Sequence, residues 1–212
     1  IMNIISKYKS TILLFVLSSL WALHFSLVKL VEADNNPFSI LVPLLLILCF
    51  LFFIVLKINN QTFKFTLRKS LFFIIAGIFA YVIPLYVEFL VAPKIDAGIL
   101  VLIVSSVPVF TLLIVWLFRL LSINLKLILG TLSGIVGVSL IMFGNSNNTL
   151  NIWAILALIV PLSYSFDAIF MEKFWPSKLN TFQVAFGECA ASLILIIFLN
   201  LFLGTSIDEY TY

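Results

Sequence analysis

Four ionisable side chains lie inside strongly apolar stretches of the sequence, and these residues are the best suited to chemistry. They are His24, Glu88, Asp167 and Glu188. A charged group at membrane depth costs about 3 kcal/mol, so such groups usually face a bundle interior or a water-filled cavity. We therefore expect them to line a solute path or to pass protons. The alternatives are a neutral hydrogen bond between helices for His24 and a solvated position near the membrane surface for Glu88.

Aromatic side chains accompany two of these residues at helical spacing. Trp21 precedes His24 by three residues, and Tyr164 precedes Asp167 by three residues. Residues three apart lie on one face of a helix. We therefore expect Trp21 and Tyr164 to face the same region as the ionisable side chains and to belong to the solute path.

Prolines and small residues predict bends and close helix packing. Ser105 and Ser106 precede Pro108, and a proline removes a backbone hydrogen bond and kinks a helix. We expect both hydroxyls to lie at a bend that faces a cavity. Further kinks are expected at Pro43, Pro84 and Pro161. Close helix packing is expected at Gly130, Gly134 and Gly137.

The elements that must position these residues are transmembrane helices. Hydrophobic residues make up 63% of the chain and charged residues 10%, whereas a soluble domain is about half apolar and about a quarter charged. A spanning helix needs about 20 apolar residues, and in lipid the backbone must be paired within the segment. The predicted fold is an all-α polytopic membrane protein with seven transmembrane helices. They are expected at residues 11–31, 38–57, 71–91, 98–118, 124–143, 152–172 and 182–203.

Short loops and few ligand residues count against several function classes. The sequence has no phosphate-binding loop and no stretch long enough for a soluble nucleotide-binding domain. One histidine, and two cysteines inside apolar runs (Cys49 and Cys189), give little support to a metal site or a disulfide. We expect no cofactor, no metal and no nucleic-acid partner.

Basic residues concentrate on one side of the predicted topology. With the N-terminus inside, ten of the twelve basic residues lie on the inner side, and only Lys29 and Lys94 lie towards the outer side. Such a bias is typical of cytoplasmic loops. It predicts a multi-pass protein of the cell membrane with a cytoplasmic N-terminus and an outside C-terminus.

An internal repeat is suggested when Trp21 is aligned with Tyr164 and His24 with Asp167. The offset is five helices, an odd number, so the second copy is inverted, as in many secondary transporters with sites near the midplane. We predict a first five-helix repeat at residues 1–146 and the first two helices of a second repeat at residues 147–212. His24 and Asp167 are then expected to approach each other and to hold a cationic or zwitterionic solute or pass a proton. An ion pair that only fixes packing is the alternative.

Two stretches resemble the EamA-type family of drug/metabolite transporters. Residues 97–144 carry Ser105-Ser106-Val107-Pro108-Val109-Phe110-Thr111 and then the three regularly spaced glycines Gly130, Gly134 and Gly137, similar to the last two helices of a repeat in that family. Trp21, Phe25 and Lys29 match the opening pattern of its first helix, with His24 at a position where asparagine is common. The family has ten helices in two sets of five, so the resemblance implies a truncated member with about seven.

The resemblance implies a secondary transporter of a small metabolite or drug that works by alternating access, driven by an ion or solute gradient. It implies the small-molecule solute and the lipid bilayer as partners, and it leaves open a homodimer with a second copy of the chain. A non-transporting sensor or assembly bundle is the alternative, followed by a membrane-embedded enzyme, for which one histidine and scattered carboxylates are poor support.

Overall fold

The computed structural model describes residues 2–30, 36–62, 66–120, 125–143 and 152–204, and every regular element in these ranges is helical. The α-helices are α1 (Met2–Leu30), α2 (Phe38–Ile58), α3 (Leu67–Gly77), α4 (Ile83–Val91), α5 (Ala97–Val104), α6 (Val107–Leu117), α7 (Leu125–Phe143), α8 (Ile152–Ala157), α9 (Ile159–Phe174) and α10 (Thr181–Leu199). The predicted repeat boundary at residues 146–147 and the side chain of Lys29 lie outside the described part of the chain.

Among the described residues, six helical segments are long and apolar enough to cross a membrane. They are Tyr8–Val28, Phe38–Ile58, Leu67–Lys94, Ala97–Leu117, Ile152–Phe174 and Thr181–Phe202. Helix α7 is a further apolar helix with a shorter apolar stretch, Leu125–Gly137. The chain is therefore an all-helical polytopic membrane protein, as the sequence predicts.

Three of these segments are interrupted ahead of a proline, because proline has no amide to continue the helix. The interruptions are a π-helical turn at Ile78–Val82 before Pro84, a break at Ser105 and Ser106 before Pro108, and a break at Leu158 before Pro161. Pro43, in contrast, lies within the uninterrupted α2.

The π-helical turn leaves one backbone carbonyl for a neighbouring helix. The amide of Ile83 donates to the carbonyl of Ile78. It therefore does not donate to the carbonyl of Phe79, which would be its partner in a regular α-helix. The next residue, Pro84, has no amide. The carbonyl of Phe79 instead accepts a hydrogen bond from Ser163 Oγ on α9, at 2.9 Å. This partly buried bond joins α9 to the turn before α4.

Two further serine hydroxyls lie within hydrogen-bond distance of carbonyls of the helices against which they pack. Ser165 Oγ on α9 lies 3.0 Å from the carbonyl of Val107 on α6. Ser192 Oγ on α10 lies 3.1 Å from the carbonyl of Gly77 on α3. In these contacts α9 packs against α4 and α6, and α10 packs against α2 and α3. Each hydroxyl also lies 2.7 Å from a carbonyl of its own helix, that of Pro161 for Ser165 and that of Glu188 for Ser192, so its single proton is shared between the two helices.

The three glycines of α7 differ in their surroundings. Gly134 packs directly against Val109 of α6, and a side chain there would collide with it. A Cβ added at Gly130 or Gly137 would meet nothing within 4 Å among the described residues. The prediction of close packing at Gly130 and Gly137 is therefore wrong for this part of the chain, because those positions face open space.

Ser163→Ala is expected to destabilise the protein by about 0.6–1.7 kcal/mol, from the average to the maximum measured for hydrogen bonds between membrane helices. The reason is that the carbonyl of Phe79 then has no donor. In a Pro84→Ala background the new amide of residue 84 supplies a donor, so the same serine change is expected to cost less. Thermal or denaturant unfolding in detergent micelles measures the four variants of this cycle. An equal loss in both backgrounds would contradict the role assigned to Ser163.

Candidate functional site

A single buried carboxylate joins three helices. Glu88 on α4 has a side chain only 1% exposed. Its Oε2 lies 3.1 Å from Nε2 of His24 on α1. Its Oε1 accepts a hydrogen bond from the hydroxyl of Tyr164 on α9 at 3.3 Å. Both carboxylate oxygens are therefore partnered, which is the condition under which a buried charge or acid is tolerated.

Aromatic rings surround this network on the side of α1. The rings of Trp21 and Tyr164 meet edge to face with centroids 6.0 Å apart, a preferred arrangement for aromatic pairs. The centroids of Trp21 and His24 are 6.4 Å apart, and those of His24 and Phe25 are 5.4 Å apart. Phe25 is buried, whereas the His24 side chain is 32% exposed. His24 therefore connects the buried carboxylate to a more open region.

A cavity of about 560 Å³ lies between α1, α5, α6 and α9, next to the network. Its volume falls within the range of ordinary small-molecule pockets. Its lining is mostly apolar and aromatic, with the hydroxyls of Ser18, Ser105 and Tyr164 as polar groups. The lining residues are Leu17, Ser18, Trp21, Ala22, Phe25, Val101, Val104, Ser105, Val107, Pro108 and Tyr164. Tyr164 thus contacts both the cavity and Glu88.

The break between α5 and α6 turns two adjacent serines in different directions. Ser105 is exposed and lines the cavity, while its Oγ donates to the carbonyl of Val101 at 2.7 Å. Ser106 is buried, with its Oγ bonded to the carbonyl of Ile103. Of the two hydroxyls predicted to face a cavity, the structure therefore brings only Ser105 to this one.

Asp167 and Glu188 form a second polar region, on α9 and α10. Asp167 Oδ1 and Glu188 Oε1 are buried and have no hydrogen-bond partner among the described residues. Asp167 interacts electrostatically with Glu188, and both interact with Tyr81. Two neighbouring carboxylates in a low-dielectric region repel each other when both are ionised. This region is therefore suited to holding a proton or a cation.

The predicted pairing of His24 with Asp167 is replaced by the pairing of His24 with Glu88. Sequence spacing aligned His24 and Asp167 as repeat equivalents, but the helix that faces His24 at hydrogen-bond distance is α4, which carries Glu88. The solvated alternative for Glu88 is also wrong, since the residue is fully buried. All eight residues predicted for the solute path fall in these two regions or at the break beside them.

Tyr81 and Ser163 were not predicted as site residues. Tyr81 interacts with the second polar region, and Ser163 holds α9 against the π-helical turn. The signal for Ser163 was its position one helical turn before Asp167 together with the proline on the facing helix, but no pattern in the sequence pairs those two helices. Among the described residues, no group of three or more metal-ligating side chains forms a metal site.

Comparison with known proteins identifies one family. The model of the EamA-like transporter family matches residues 9–143, more than half of the 212-residue chain. This range includes most of α1 and all of α2 to α7, and therefore Trp21, His24, Glu88 and Ser105. No curated protein and no solved structure matches the chain.

Ser105→Cys is expected to react with a charged, water-soluble thiol reagent, because its side chain lines the cavity. The adjacent Ser106→Cys, which is buried, is the matched control and is expected to react at least about tenfold more slowly. Both changes are made in a protein whose two native cysteines are replaced by alanine, and labelling is followed by mass spectrometry in liposomes. Equal labelling of the two positions would show that water does not enter the cavity selectively.

Proposed function

Because the chain belongs to the EamA-like transporter family, whose members carry small solutes across membranes, we propose that it is a secondary transporter working by alternating access. The observation that carries this proposal is the Glu88 network at the wall of a cavity of about 560 Å³. In this proposal the cavity is the solute path. A solute bound in the cavity changes the environment of the Glu88 carboxylate through Tyr164 and His24.

The lining chemistry favours a small organic solute with an apolar or aromatic body and one polar or cationic group. Trp21 and Tyr164 offer aromatic faces to such a body, and aromatic faces also attract cations. Ser18 and Ser105 add hydroxyls along the same surface. The carboxyl group of Glu88 lies behind Tyr164 and is not itself part of the lining. We therefore assign Glu88 to charge balance and positioning, and the aromatic residues to direct contact.

The second polar region is proposed to couple transport to an ion gradient. Asp167 and Glu188 each have a buried carboxylate oxygen without a partner, and a proton or a cation would relieve their repulsion. Asp167 lies one turn from Tyr164 on α9, so a change of charge there acts on the helix that contacts Glu88. This connection gives the ion a route to the solute path through a single helix.

The interrupted helices are proposed to permit the conformational change. Broken helices near a site are typical of secondary transporters, and the cavity is bordered by the break at Ser105 and Ser106. We further propose that residues 147–212 begin an inverted copy of residues 1–146, with the N-terminus in the cytoplasm. The meeting of Trp21 and Tyr164 at one cavity supports this pairing of the two copies.

Glu88→Gln, His24→Ala and Tyr164→Phe are each expected to reduce uptake by the full-length protein about tenfold to a hundredfold, the effect of losing a hydrogen bond to a charged group. Uptake is measured in proteoliposomes with a panel of radiolabelled amines, amino acids and aromatic carboxylates, using the solutes that the unmodified protein carries. Glu172→Gln changes an exposed carboxylate at the end of α9 and is expected to leave uptake unchanged.

A second arm of the same assay separates solute binding from coupling. Asp167→Asn is expected to remove the response of uptake to an imposed pH gradient while exchange of labelled for unlabelled solute continues. Unchanged uptake in all three variants of the Glu88 network would contradict the proposed site. An unchanged pH response in Asp167→Asn would contradict only the proposed coupling.

A further inference from the structure

A second large cavity lies where α3 begins and α9 ends. It has a volume of about 610 Å³, and its walls include the first turns of α3, the last turns of α9 and the start of the loop that follows. Because two membrane-length segments, Leu67–Lys94 and Ile152–Phe174, have their ends here, the cavity lies at the boundary between membrane and water. The solute path described above does not share any of its lining residues.

Three cationic side chains line the polar part of this cavity. They are Arg68, Lys69 and Lys173. Within the described part of the chain, no carboxylate lies at ion-pair distance from any of the three. The ion pair that those residues do form joins His24 and Glu88, outside this cavity. The N-terminus of α3 adds to the positive potential, since Thr66 does not cap it with a side-chain hydrogen bond. The cavity is therefore complementary to an anionic group.

Aromatic and aliphatic side chains line the remainder of the cavity. Phe72, Ile75 and Phe170 are among them, and the rings of Phe72 and Phe170 are stacked with centroids 5.2 Å apart. Trp175, also in the lining, donates its indole N–H to the carbonyl of Leu179 at 3.2 Å. Tryptophan is enriched at the headgroup level of membranes. The cavity is thus cationic on one side and apolar on the other, as a phospholipid requires.

The loop and helix end beside the cavity are held by specific hydrogen bonds. Asn180 and Gln183 form a reciprocal capping box at the start of α10, and Gln183 Nε2 donates to the carbonyl of Thr62 at 2.9 Å. The segment before α3 and the segment after α9 are therefore joined through α10. A preformed cavity loses less entropy on binding than one that must be ordered by its ligand.

We propose that this cavity binds one anionic phospholipid. The headgroup phosphate contacts Arg68, Lys69 and Lys173, and an acyl chain lies along Phe72, Ile75 and Phe170. Basic pockets between membrane helices bind anionic lipid headgroups in this way. The apolar side of the cavity and its place at the membrane boundary favour a lipid over a soluble phosphate. This inference goes beyond the proposed transport function and does not depend on it.

Native mass spectrometry of the full-length protein, delipidated in detergent, tests the proposal with added phosphatidylglycerol and with phosphatidylcholine of the same acyl chains. We expect one phosphatidylglycerol to be retained per chain, with at least about tenfold preference over phosphatidylcholine. The triple variant Arg68→Gln, Lys69→Gln and Lys173→Gln is expected to lose this preference. Its melting temperature without added lipid, compared with that of the unmodified protein, shows that it is folded.

A charge-matched control separates this cavity from general surface charge. Lys9→Gln, Arg119→Gln and Lys126→Gln remove the same number of charges from exposed positions outside the cavity, and the lipid preference should persist. Equal loss in both triple variants, or equal retention of the two lipids by the unmodified protein, would overturn the proposal. Competition by sn-glycerol 3-phosphate at the same concentration as the lipid would instead reveal a site for a soluble phosphate and would also overturn it.

Discussion

The burial of Glu88 is the constraint on which the arrangement of the other helices depends. A carboxyl group in a membrane bundle must be partnered, and its two oxygens require partners from different directions. His24 and Tyr164 supply them from α1 and α9. This is most important for α1, because only 11% of its membrane-length window is buried. Phe25 and Val28 pack in the core and Trp21 meets Tyr164 edge to face, and the contact of His24 with Glu88 adds a polar contact that orients α1.

Unpaired backbone carbonyls impose the second constraint, and they connect the bundle to the site. In lipid each carbonyl without an amide donor needs another partner, and prolines create such carbonyls. Ser163 satisfies the carbonyl of Phe79. It directly precedes Tyr164 on α9, so the bond that repairs the proline-containing segment also helps to set the position of the hydroxyl that reaches Glu88. Packing and site chemistry therefore depend on the same turn of α9.

The helical membrane fold was predictable because apolar length and backbone pairing in lipid leave few alternatives. The break before Pro108 and the polar residues of both regions were also identified from residue type and position. The partner of His24 was not, since sequence spacing does not reveal which of two distant helices faces it, and the repeat alignment favoured Asp167 over Glu88. The packing of Gly130 and Gly137 was overestimated for the same reason: a spacing that permits close approach does not supply a neighbouring helix.

The bond between the side chains of His24 and Glu88 can be tested with a single isotope label. His24 is the one histidine of the chain, so labelling with ¹⁵N-histidine gives ring nitrogen signals from this residue alone in a solid-state NMR spectrum of the protein in lipid bilayers. This bond predicts that Glu88→Gln shifts the Nε2 signal, while the exposed control Glu172→Gln leaves it in place. Identical Nε2 signals in the unmodified protein and in both variants would contradict it.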